Sequence, residues 1–268
     1  MNNAAPPVSS VARSVDVLVL AGRRRGEVDP LASVDNVAHK ALLVASGKPL
    51  IRRVAEALKS SGRVARINIA APEDVRAAIG DALKGIDGWG FVDAASSPAN
   101  TVLSAIEALT GDEALLVTTC DHALLTGEMI RSFLDRAGYC AAAAACVDRA
   151  VYEARFPKSR RTFVRLKDLS FSGANMFWFA GAKARGLADF WRRLEAKRKN
   201  PAAMAREIGI FTALSYACGQ MTKAGLEKTI RRKTGVDARL VPLAMAEAAI
   251  DVDKPEDLAL VRSILALE

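Results

Sequence analysis

Apolar and polar positions change along the chain from strand-like runs to helix-like spacing and back. The apolar run Val15–Leu20 predicts a first strand, Leu50–Ser60 predicts a helix, and Val64–Ala70 predicts a second strand. Further helices are predicted at residues 72–83, 101–109, 184–199 and 201–223 and from Pro255 onward, and further strands at residues 89–93, 114–118, 139–147, 175–179, 238–242 and 249–252. Strands that alternate with helices favour a mainly parallel sheet.

The predicted fold class is therefore α/β, with a single domain built on a mainly parallel mixed sheet flanked by helices. Residues 1–13 are small and polar and include prolines, which predicts a flexible tail before a domain at residues 14–268. Neither an internal repeat nor a low-complexity linker divides that domain. Its segment 184–235 has a helical pattern with many Lys and Arg residues, and we interpret it as a basic helical insertion.

Composition narrows the class of protein without selecting a function. The 268 residues are 51% hydrophobic and 25% charged, which is enough apolar material for a sizeable core. No window approaches the roughly 18 consecutive apolar residues of a membrane-spanning helix, and the run 15–21 lacks the basic flank of a signal peptide, so a cytoplasmic protein is expected. The net charge of +8 favours anionic partners such as nucleotides, phosphorylated metabolites, nucleic acid or an acidic membrane surface.

The cysteines and histidines predict neither a zinc site nor a disulfide framework. The four cysteines show no C-x-x-C spacing, and the chain has only two histidines. We interpret Cys120, Cys140, Cys146 and Cys218 as small core residues.

The segment Leu20-Ala21-Gly22-Arg23-Arg24-Arg25-Gly26 follows the first predicted strand directly. A parallel sheet presents its carboxyl edge to ligands at this position. Glycine lets backbone N–H groups approach a phosphate, and arginine neutralises the phosphate and can bind it through two hydrogen bonds. Taken alone, the segment is better explained as a tight turn followed by a solvated basic loop.

Three further residues are suited to phosphate chemistry. Lys40 lies shortly before a turn and a new helix, where its ammonium group could reach the α-phosphate of a nucleotide, or it could be a surface lysine. Asp121 and Asp253 each follow an apolar run, and carboxylates at strand ends suit Mg²⁺. Either aspartate could also cap a helix. The presence of two such carboxylates strengthens the prediction of a metal site.

Taken in order, Leu20–Gly26, Lys40, Asp121 and the run Asp253-Lys254-Pro255-Glu256-Asp257-Leu258 resemble the motifs of the MobA-like NTP transferases. These are nucleotidyltransferases with a GT-A-like, Rossmann-like fold, and the resemblance extends from Val17 to Leu260. It implies that the first loop wraps a triphosphate and that two aspartates bind Mg²⁺.

The resemblance also implies a set of site residues. The catalytic residues it implies are Lys40, Arg24 and Asp121, and the metal ligands are Asp121 and Asp253. The nucleotide-binding residues it implies are Leu20, Ala21, Gly22, Arg23, Arg25, Gly26, Ser97, Asn100 and Thr101. The acceptor-binding residues it implies are Gly173 and Asn175.

The chain departs from the family pattern in three places. The first loop is shortened to L-A-G and carries three arginines, and the D-x-P sequence of the family is replaced by Asp121-His122-Ala123. The basic region 190–233 matches no acceptor signature of the family. A solvated helix face is the simplest interpretation of that region.

The activity implied by the resemblance is Mg²⁺-dependent nucleotidyl transfer of the EC 2.7.7 type. An NMP would pass from an NTP, with GTP favoured and CTP next, to a phosphorylated small-molecule acceptor, and pyrophosphate would be released. Nucleic acid is not an expected partner, and the oligomeric state is left open.

Two other functions are weighed against this one. A GT-A glycosyltransferase would use a D-x-D metal motif, which Asp251-Val252-Asp253 matches in spacing but not in position along the chain. A non-catalytic nucleotide-binding or peripheral membrane protein would contact anionic lipid through the basic region 190–233. Exposed apolar residues near those arginines would favour this second alternative, whereas Ile208, Phe211, Leu214 and Tyr216 are expected to be core residues.

Overall fold

The computed structural model describes residues 14–23, 31–110, 113–157, 159 and 161–267. The predicted tail at residues 1–13 lies outside these ranges, as do Arg24, Arg25 and Gly26. The strands are β1 (Val15–Leu20), β2 (Val44–Ala45), β3 (Lys48–Pro49), β4 (Val64–Ala70), β5 (Trp89–Val92), β6 (Ala114–Thr119), β7 (Ala142–Asp148), β8 (Val164–Arg165), β9 (Ser170–Ala180) and β10 (Ala238–Leu243). The α-helices are α1 (Leu50–Ser60), α2 (Glu73–Ala82), α3 (Pro98–Glu107), α4 (Gly127–Ala137), α5 (Arg149–Arg155), α6 (Arg185–Lys197), α7 (Pro201–Ile208), α8 (Ile210–Ala217), α9 (Lys223–Thr234) and α10 (Pro255–Leu265).

Within the described residues the fold is an α/β domain around one eight-stranded mixed sheet, as predicted. The strand order is β10-β7-β9-β6-β1-β4-β5, and β8 pairs with β9. The pairs of β1 with β4 and β6, of β4 with β5 and of β7 with β10 are parallel. Strand β9 runs antiparallel to both β6 and β7, so its first residues lie at the edge where those strands end.

The sheet is buried on both faces. Val17 and Val19 of β1 pack into one apolar cluster with α1 and α4, whereas Leu18 packs into a second cluster with α3 and α6 on the opposite face. This arrangement explains why the part of β1 after Asp16, from Val17 to Leu20, is apolar without alternation. In the described part of the chain, no helix combines the length and the hydropathy needed to cross a membrane.

The predicted elements near the site agree closely with the observed ones. Helix α1 and strands β1 and β4 have the predicted bounds, and the alanine-rich segment 139–147 overlaps β7, which begins three residues later and ends one residue later than predicted. The predicted strand at residues 249–252 is wrong, because a 3₁₀ turn at Ala246–Ala249 precedes an extended segment that does not join the sheet. The Val252 N–H instead donates to the Asp121 carbonyl oxygen at 3.1 Å.

The predicted continuous helix at residues 201–223 is also wrong. Gly209 has φ of 112°, a conformation that favours glycine, and it separates α7 from α8. The expectation that Phe211, Leu214 and Tyr216 are core residues fails, because α8 packs so loosely that all three are exposed. Cys218, just after α8, is exposed as well, so it is not the core residue that was predicted.

Candidate active site

The central strands β1 and β6 place the first candidate residues at one crevice. From β1 the chain moves outward to β4 and β5 and then returns to β6 on the other side of β1, which makes the β1–β6 boundary a topological switch point. Ligands of open α/β sheets bind outside the carboxyl ends of strands at such points. The Cys120 N–H donates to the Leu20 carbonyl oxygen at 3.0 Å, so Ala21 and Asp121 leave the sheet side by side.

A short 3₁₀ turn, Lys40–Leu42, carries the candidate lysine to this crevice. His39 caps the turn, since its Nδ1 atom accepts a hydrogen bond from the Ala41 N–H at 3.1 Å. His39 and Ala41 are fully buried, and this anchors the turn on both sides of Lys40. The ammonium group of Lys40 is thereby directed toward the carboxyl end of β6.

Lys40 joins the two aspartates of the predicted metal site. Its Nζ atom forms an ion pair with the Asp121 carboxylate and lies 3.4 Å from Asp253 Oδ1. The Asp121 side chain is 6% exposed, whereas that of Asp253 is 60% exposed. The structure thus brings Lys40 together with two aspartates that lie 81 and 213 positions further along the chain.

The charges of this cluster shift the pKa values of its members. Burial lowers the pKa of Lys40, but the Asp121 carboxylate, and more weakly Asp253, raise it by more, so the pKa of Lys40 lies well above its usual range. Partial burial and repulsion from Asp251 and Asp121 raise the pKa of Asp253, although Lys40 opposes the shift. The cluster therefore holds more negative charge than one lysine neutralises.

Neither aspartate caps a helix. Thr126 caps α4, with its hydroxyl accepting from the Met129 N–H at 3.2 Å, so Asp121 is free of that task. At the other segment, the Asp257 carboxylate accepts from the Asp253 and Lys254 N–H groups at 3.2 and 3.0 Å. Asp257 thus fixes the backbone at the start of α10 and leaves the Asp253 side chain to face Lys40.

A second ion pair, which the sequence did not reveal, supports the cluster from behind. Arg161 Nη2 donates to Asp251 Oδ1 at 2.6 Å, and Arg161 Nε donates to Ser172 Oγ at 2.9 Å. The Asn175 amide donates to Asp251 Oδ2 at 2.9 Å. Although burial raises the pKa of Asp251, Arg161 lowers it by more, so this carboxyl stays ionised. In the sequence Arg161 belongs to a basic run that is indistinguishable from a surface loop.

Asn175, a predicted acceptor residue, owes its direction to an irregularity in β9. The register of the β7–β9 pair shifts between Ala144 and Cys146, and Asn175 within this region has a left-handed φ of 43°. Bulges redirect side chains, and asparagine tolerates this conformation better than most residues. The amide therefore points to Asp251 at the site. Gly173, the other predicted acceptor residue, is exposed near the same end of β9.

The predicted nucleotide residues fall into three groups. Leu20, Ala21 and Gly22 lie at the crevice, and Arg23 forms an ion pair with Asp74 at the start of α2. Arg24, Arg25 and Gly26 lie outside the described residues. Ser97, Asn100 and Thr101 form the first turn of α3, where they mainly bond to one another and to neighbouring backbone.

The first turn of α3 opens on a cavity beside the C-terminal part of α6. Ser97 caps α3, and buried Thr101 holds the Ser97 carbonyl oxygen at 3.1 Å and the Ala95 N–H at 3.0 Å. The cavity has a volume of about 570 Å³ and extends from Ser97 and Asn100 to the basic end of α6. Thr101 thus braces the loop, while Ser97 and Asn100 line open space.

The two clustered aspartates fit the Mg²⁺ that the resemblance implies. Asp121 Oδ1 is buried and has no hydrogen-bond partner among the described residues, which leaves a carboxylate oxygen free for a cation. Mg²⁺ is commonly held by one or two carboxylates together with phosphate oxygens and water. Asp121 and Asp253 supply two such carboxylates, and the described residues contain no cluster of three or more His, Cys, Asp or Glu side chains suited to a metal.

His122 lies directly behind this cluster and is fully buried. Burial disfavours the charged imidazolium more strongly than the carboxylates of Asp121 and Asp251 favour it, so the pKa of His122 falls from 6.5 to about 4. The residue is therefore neutral at physiological pH. It is a packing residue of the turn after β6 and is closed to solvent.

A neutral buried histidine makes stability depend on pH in a predictable direction. Below pH 6.5 the unfolded chain protonates His122 and the folded chain does not until about pH 4, so the free energy of unfolding falls across this window as pH is lowered. Between pH 7 and 5 the loss due to His122 is about 2 kcal/mol. Urea unfolding at both pH values should show a smaller loss in His122→Gln. An equal loss of unfolding free energy in the wild type and in His122→Gln would contradict the conclusion that His122 is buried in its neutral form.

Three solved structures show how this chain compares with known folds. A hypothetical transferase from Thermus thermophilus is 29% identical, with a TM-score of 0.77, covering 91% of this chain and 99% of that one. A 4-diphosphocytidyl-2C-methyl-D-erythritol synthase from Anaerococcus prevotii is 10% identical with a TM-score of 0.58, covering 95% and 99%. A CMP:2-keto-3-deoxy-manno-octonic acid synthetase complexed with CTP is 14% identical with a TM-score of 0.59, also covering 95% and 99%.

The low identities of the latter two structures establish a shared fold alone. No curated protein matches the sequence at a significant level. Residues 18–228 match the sequence model of the MobA-like NTP transferase domain, which covers most of the chain and includes Lys40 and Asp121. The protein therefore belongs to the family of MobA-like NTP transferase domains.

Proposed function

We propose that this protein transfers a nucleoside monophosphate from an NTP to a phosphorylated small-molecule acceptor, with release of pyrophosphate and with Mg²⁺ as cofactor. The observation that carries the proposal is the Lys40–Asp121–Asp253 cluster at the carboxyl ends of the central strands. An ammonium group beside two carboxylates at a sheet switch point is suited to binding a polyphosphate together with a cation. Membership of an NTP transferase family agrees with this chemistry.

In the proposed reaction, a phosphate oxygen of the acceptor attacks the α-phosphorus of the NTP. The bond from the α-phosphorus to the bridging oxygen of the β-phosphate breaks, and pyrophosphate leaves with the electron pair. Lys40, which stays protonated, neutralises charge on the phosphates as the bond breaks. Asp121 and Asp253 would hold Mg²⁺, which supplies further neutralisation of phosphate charge when bound.

No general base is required in this scheme, because an acceptor phosphate is already an anion at neutral pH. This scheme suits a site in which the nearby histidine, His122, is buried and therefore closed to the substrate. Catalysis would depend on positioning and charge neutralisation. Asn175 and Gly173, at the start of β9, are the proposed contacts of the acceptor.

The arrangement of Asp251 and Asp253 does not favour a glycosyltransferase. In the D-x-D interpretation both carboxylates would face one metal. Here Asp251 is engaged by Arg161 and Asn175, while Asp253 faces Lys40. The two carboxylates therefore have separate partners, and nucleotidyl transfer remains the proposed activity.

Thermal unfolding in the presence of Mg²⁺ and each of ATP, GTP, CTP and UTP tests the proposal. The nucleotide that serves as substrate should stabilise the protein by about 2.7 kcal/mol at a concentration 100-fold above its dissociation constant. Because the family is MobA-like, GTP is the first candidate and CTP the second. The Asp121→Ala variant should lose the Mg²⁺-dependent part of the stabilisation, whereas Asp135→Ala, a change on the outer surface of α4, should keep it. Stabilisation by no triphosphate, or equal stabilisation in Asp121→Ala, would refute the proposed function.

A further inference from the structure

Helix α8 presents an apolar ridge to solvent. Ile210, Phe211, Leu214 and Tyr216 are exposed, and Phe211 is 87% exposed, so its ring contacts little of the protein. The helix contains no charged residue, and Thr212 is its only buried side chain among the described residues. Adjacent exposed residues of this size mark an interaction surface, whereas isolated ones do not. Ile210, Phe211 and Leu214 share one face of the helix, whereas Tyr216, two residues after Leu214, points away from it. We call the three residues Ile210, Phe211 and Leu214 the α8 ridge.

The positive charge of the protein is concentrated in the segment that contains this ridge. Residues 185–233 hold twelve Lys and Arg residues and four Asp and Glu residues, so their formal charge equals the +8 of the whole chain. The remainder of the chain is therefore electrically balanced. The excess of positive charge therefore lies in the segment that forms α6, α7, α8 and α9 and is not spread evenly over the chain.

Many of these basic side chains are left without a carboxylate partner. Arg193 and Lys197 of α6 pair with Glu207 of α7. Within the described part of the chain, seven others have no carboxylate within 4 Å, namely Arg198, Lys199, Arg206, Lys228, Arg231, Arg232 and Lys233. Their charges are available to an external partner.

The basic residues flank the start of the ridge. A Cβ atom placed on Gly209, the residue before α8, would lie 3.7 Å from Lys233 Nζ at the end of α9. Glu207, two residues before Gly209, pairs with Arg193 and Lys197 of α6. Basic residues of α6 and α9 therefore lie close to the segment in which α8 begins.

The other end of α8 is tied to the site edge of the sheet. The Lys167 N–H donates to the Met221 carbonyl oxygen at 2.7 Å, and Met221 packs against Leu166 and Phe171 beside the β8–β9 hairpin. Strand β9 begins there and continues to Asn175 at the candidate site. The chain after the ridge thus connects directly to the active-site side of the sheet.

We propose that the α8 ridge and its flanking basic residues dock this protein onto an anionic phospholipid surface. A helix with exposed aliphatic and aromatic residues and neighbouring Lys and Arg inserts its apolar side among acyl chains while the cations meet lipid phosphates. A second copy of the chain fits less well, because a self-pairing contact would bring two segments of charge +8 together. The phosphate backbone of a nucleic acid would leave Phe211 and Leu214 without an apolar partner.

Co-sedimentation of the full chain with vesicles tests this inference independently of catalysis. Vesicles of phosphatidylcholine mixed with phosphatidylglycerol should bind the protein, vesicles of phosphatidylcholine alone should bind it far more weakly, and added salt should weaken the binding. The variant Phe211→Ser/Leu214→Ser should lose at least about tenfold in vesicle affinity. The variant Arg231→Gln/Arg232→Gln should lose about fivefold for each charge removed.

Matched controls carry the same changes at exposed positions elsewhere. Tyr139→Ser alters an aromatic residue that is 75% exposed before β7, and Lys84→Gln removes a surface charge after α2, and neither should change vesicle affinity. The inference is overturned if neutral and anionic vesicles bind equally, or if the ridge variant binds as the wild type does. It is also overturned if light scattering shows a dimer that the ridge variant abolishes while no vesicle binds. Because thermal shifts with NTPs do not depend on lipid, failure here leaves the proposed function untouched.

Discussion

Replacing Asp121 with asparagine is expected to reduce nucleotidyl transfer by about 10³-fold. The Asp121 carboxylate is 6% exposed and forms the ion pair with Lys40, and its second oxygen has no partner among the described residues. An amide keeps the shape of the side chain but loses the negative charge that would hold Mg²⁺. The measurement is pyrophosphate release with Mg²⁺, the stabilising NTP and a panel of sugar and polyol phosphates.

The loss of nucleotidyl transfer should be larger for the more buried of the two aspartates. Asp253→Asn is expected to reduce the rate by less than Asp121→Asn, because the Asp253 side chain is 60% exposed and water can replace part of its role. Asp135→Asn removes a surface carboxylate of α4 that pairs with Arg63. It serves as the control, and its rate of nucleotidyl transfer should be unchanged. Equal rates for Asp121→Asn and the wild type would exclude Asp121 from the chemistry.

Replacing Lys40 with methionine is expected to lower the free energy of unfolding by about 3 kcal/mol in the absence of Mg²⁺. The variant leaves the buried Asp121 carboxylate without its cation, close to the second carboxylate at Asp253. Mg²⁺ should then stabilise Lys40→Met more than it stabilises the wild type, because Lys40 no longer competes for the carboxylates. Urea unfolding with and without Mg²⁺ measures both effects.

A double variant separates the loss of charge balance from the loss of packing. Lys40→Met/Asp121→Asn removes both charges, and it should recover part of the stability lost in Lys40→Met alone. Lys84→Met, at an exposed lysine paired with Asp81, should cost well under 1 kcal/mol. If Lys40→Met were as stable as the wild type and insensitive to Mg²⁺, then Lys40 would not be the internal counterion of Asp121.

Local sequence patterns were sufficient for most of the sheet and for the order of the motifs. The apolar residues of β1 and β6 predict strands because both strands are buried on both faces, and β4 is predicted from its alternating Ile67 and Ile69. The alternation of these strands with α1, α2 and α3 predicts parallel pairing. Lys40, Asp121 and Asp253 were selected from their positions relative to these elements. The structure places the three side chains next to one another.

Errors occurred where the conformation depends on contacts distant in sequence. The alternating pattern of segment 249–252 predicts a strand, but the Val252 N–H donates to the Asp121 carbonyl oxygen and not to a neighbouring strand. The apolar residues of α8 read as core, but hydrophobicity does not say whether another element will cover them. The spacing of apolar residues indicates which secondary structure a segment prefers. The partner of each hydrogen bond and of each apolar face depends on the packing of the whole fold.

From the linear order of residues alone follow the α/β architecture, the family and the three charged residues of the candidate site. The tertiary structure alone decided that Lys40 lies between Asp121 and Asp253, that Arg161 and Asn175 engage Asp251, and that α8 remains uncovered. The reason is that strand and helix preferences act over a few neighbouring residues. Ion pairs and hydrogen bonds of the site join residues that are 76 to 213 positions apart and meet only when the sheet has assembled.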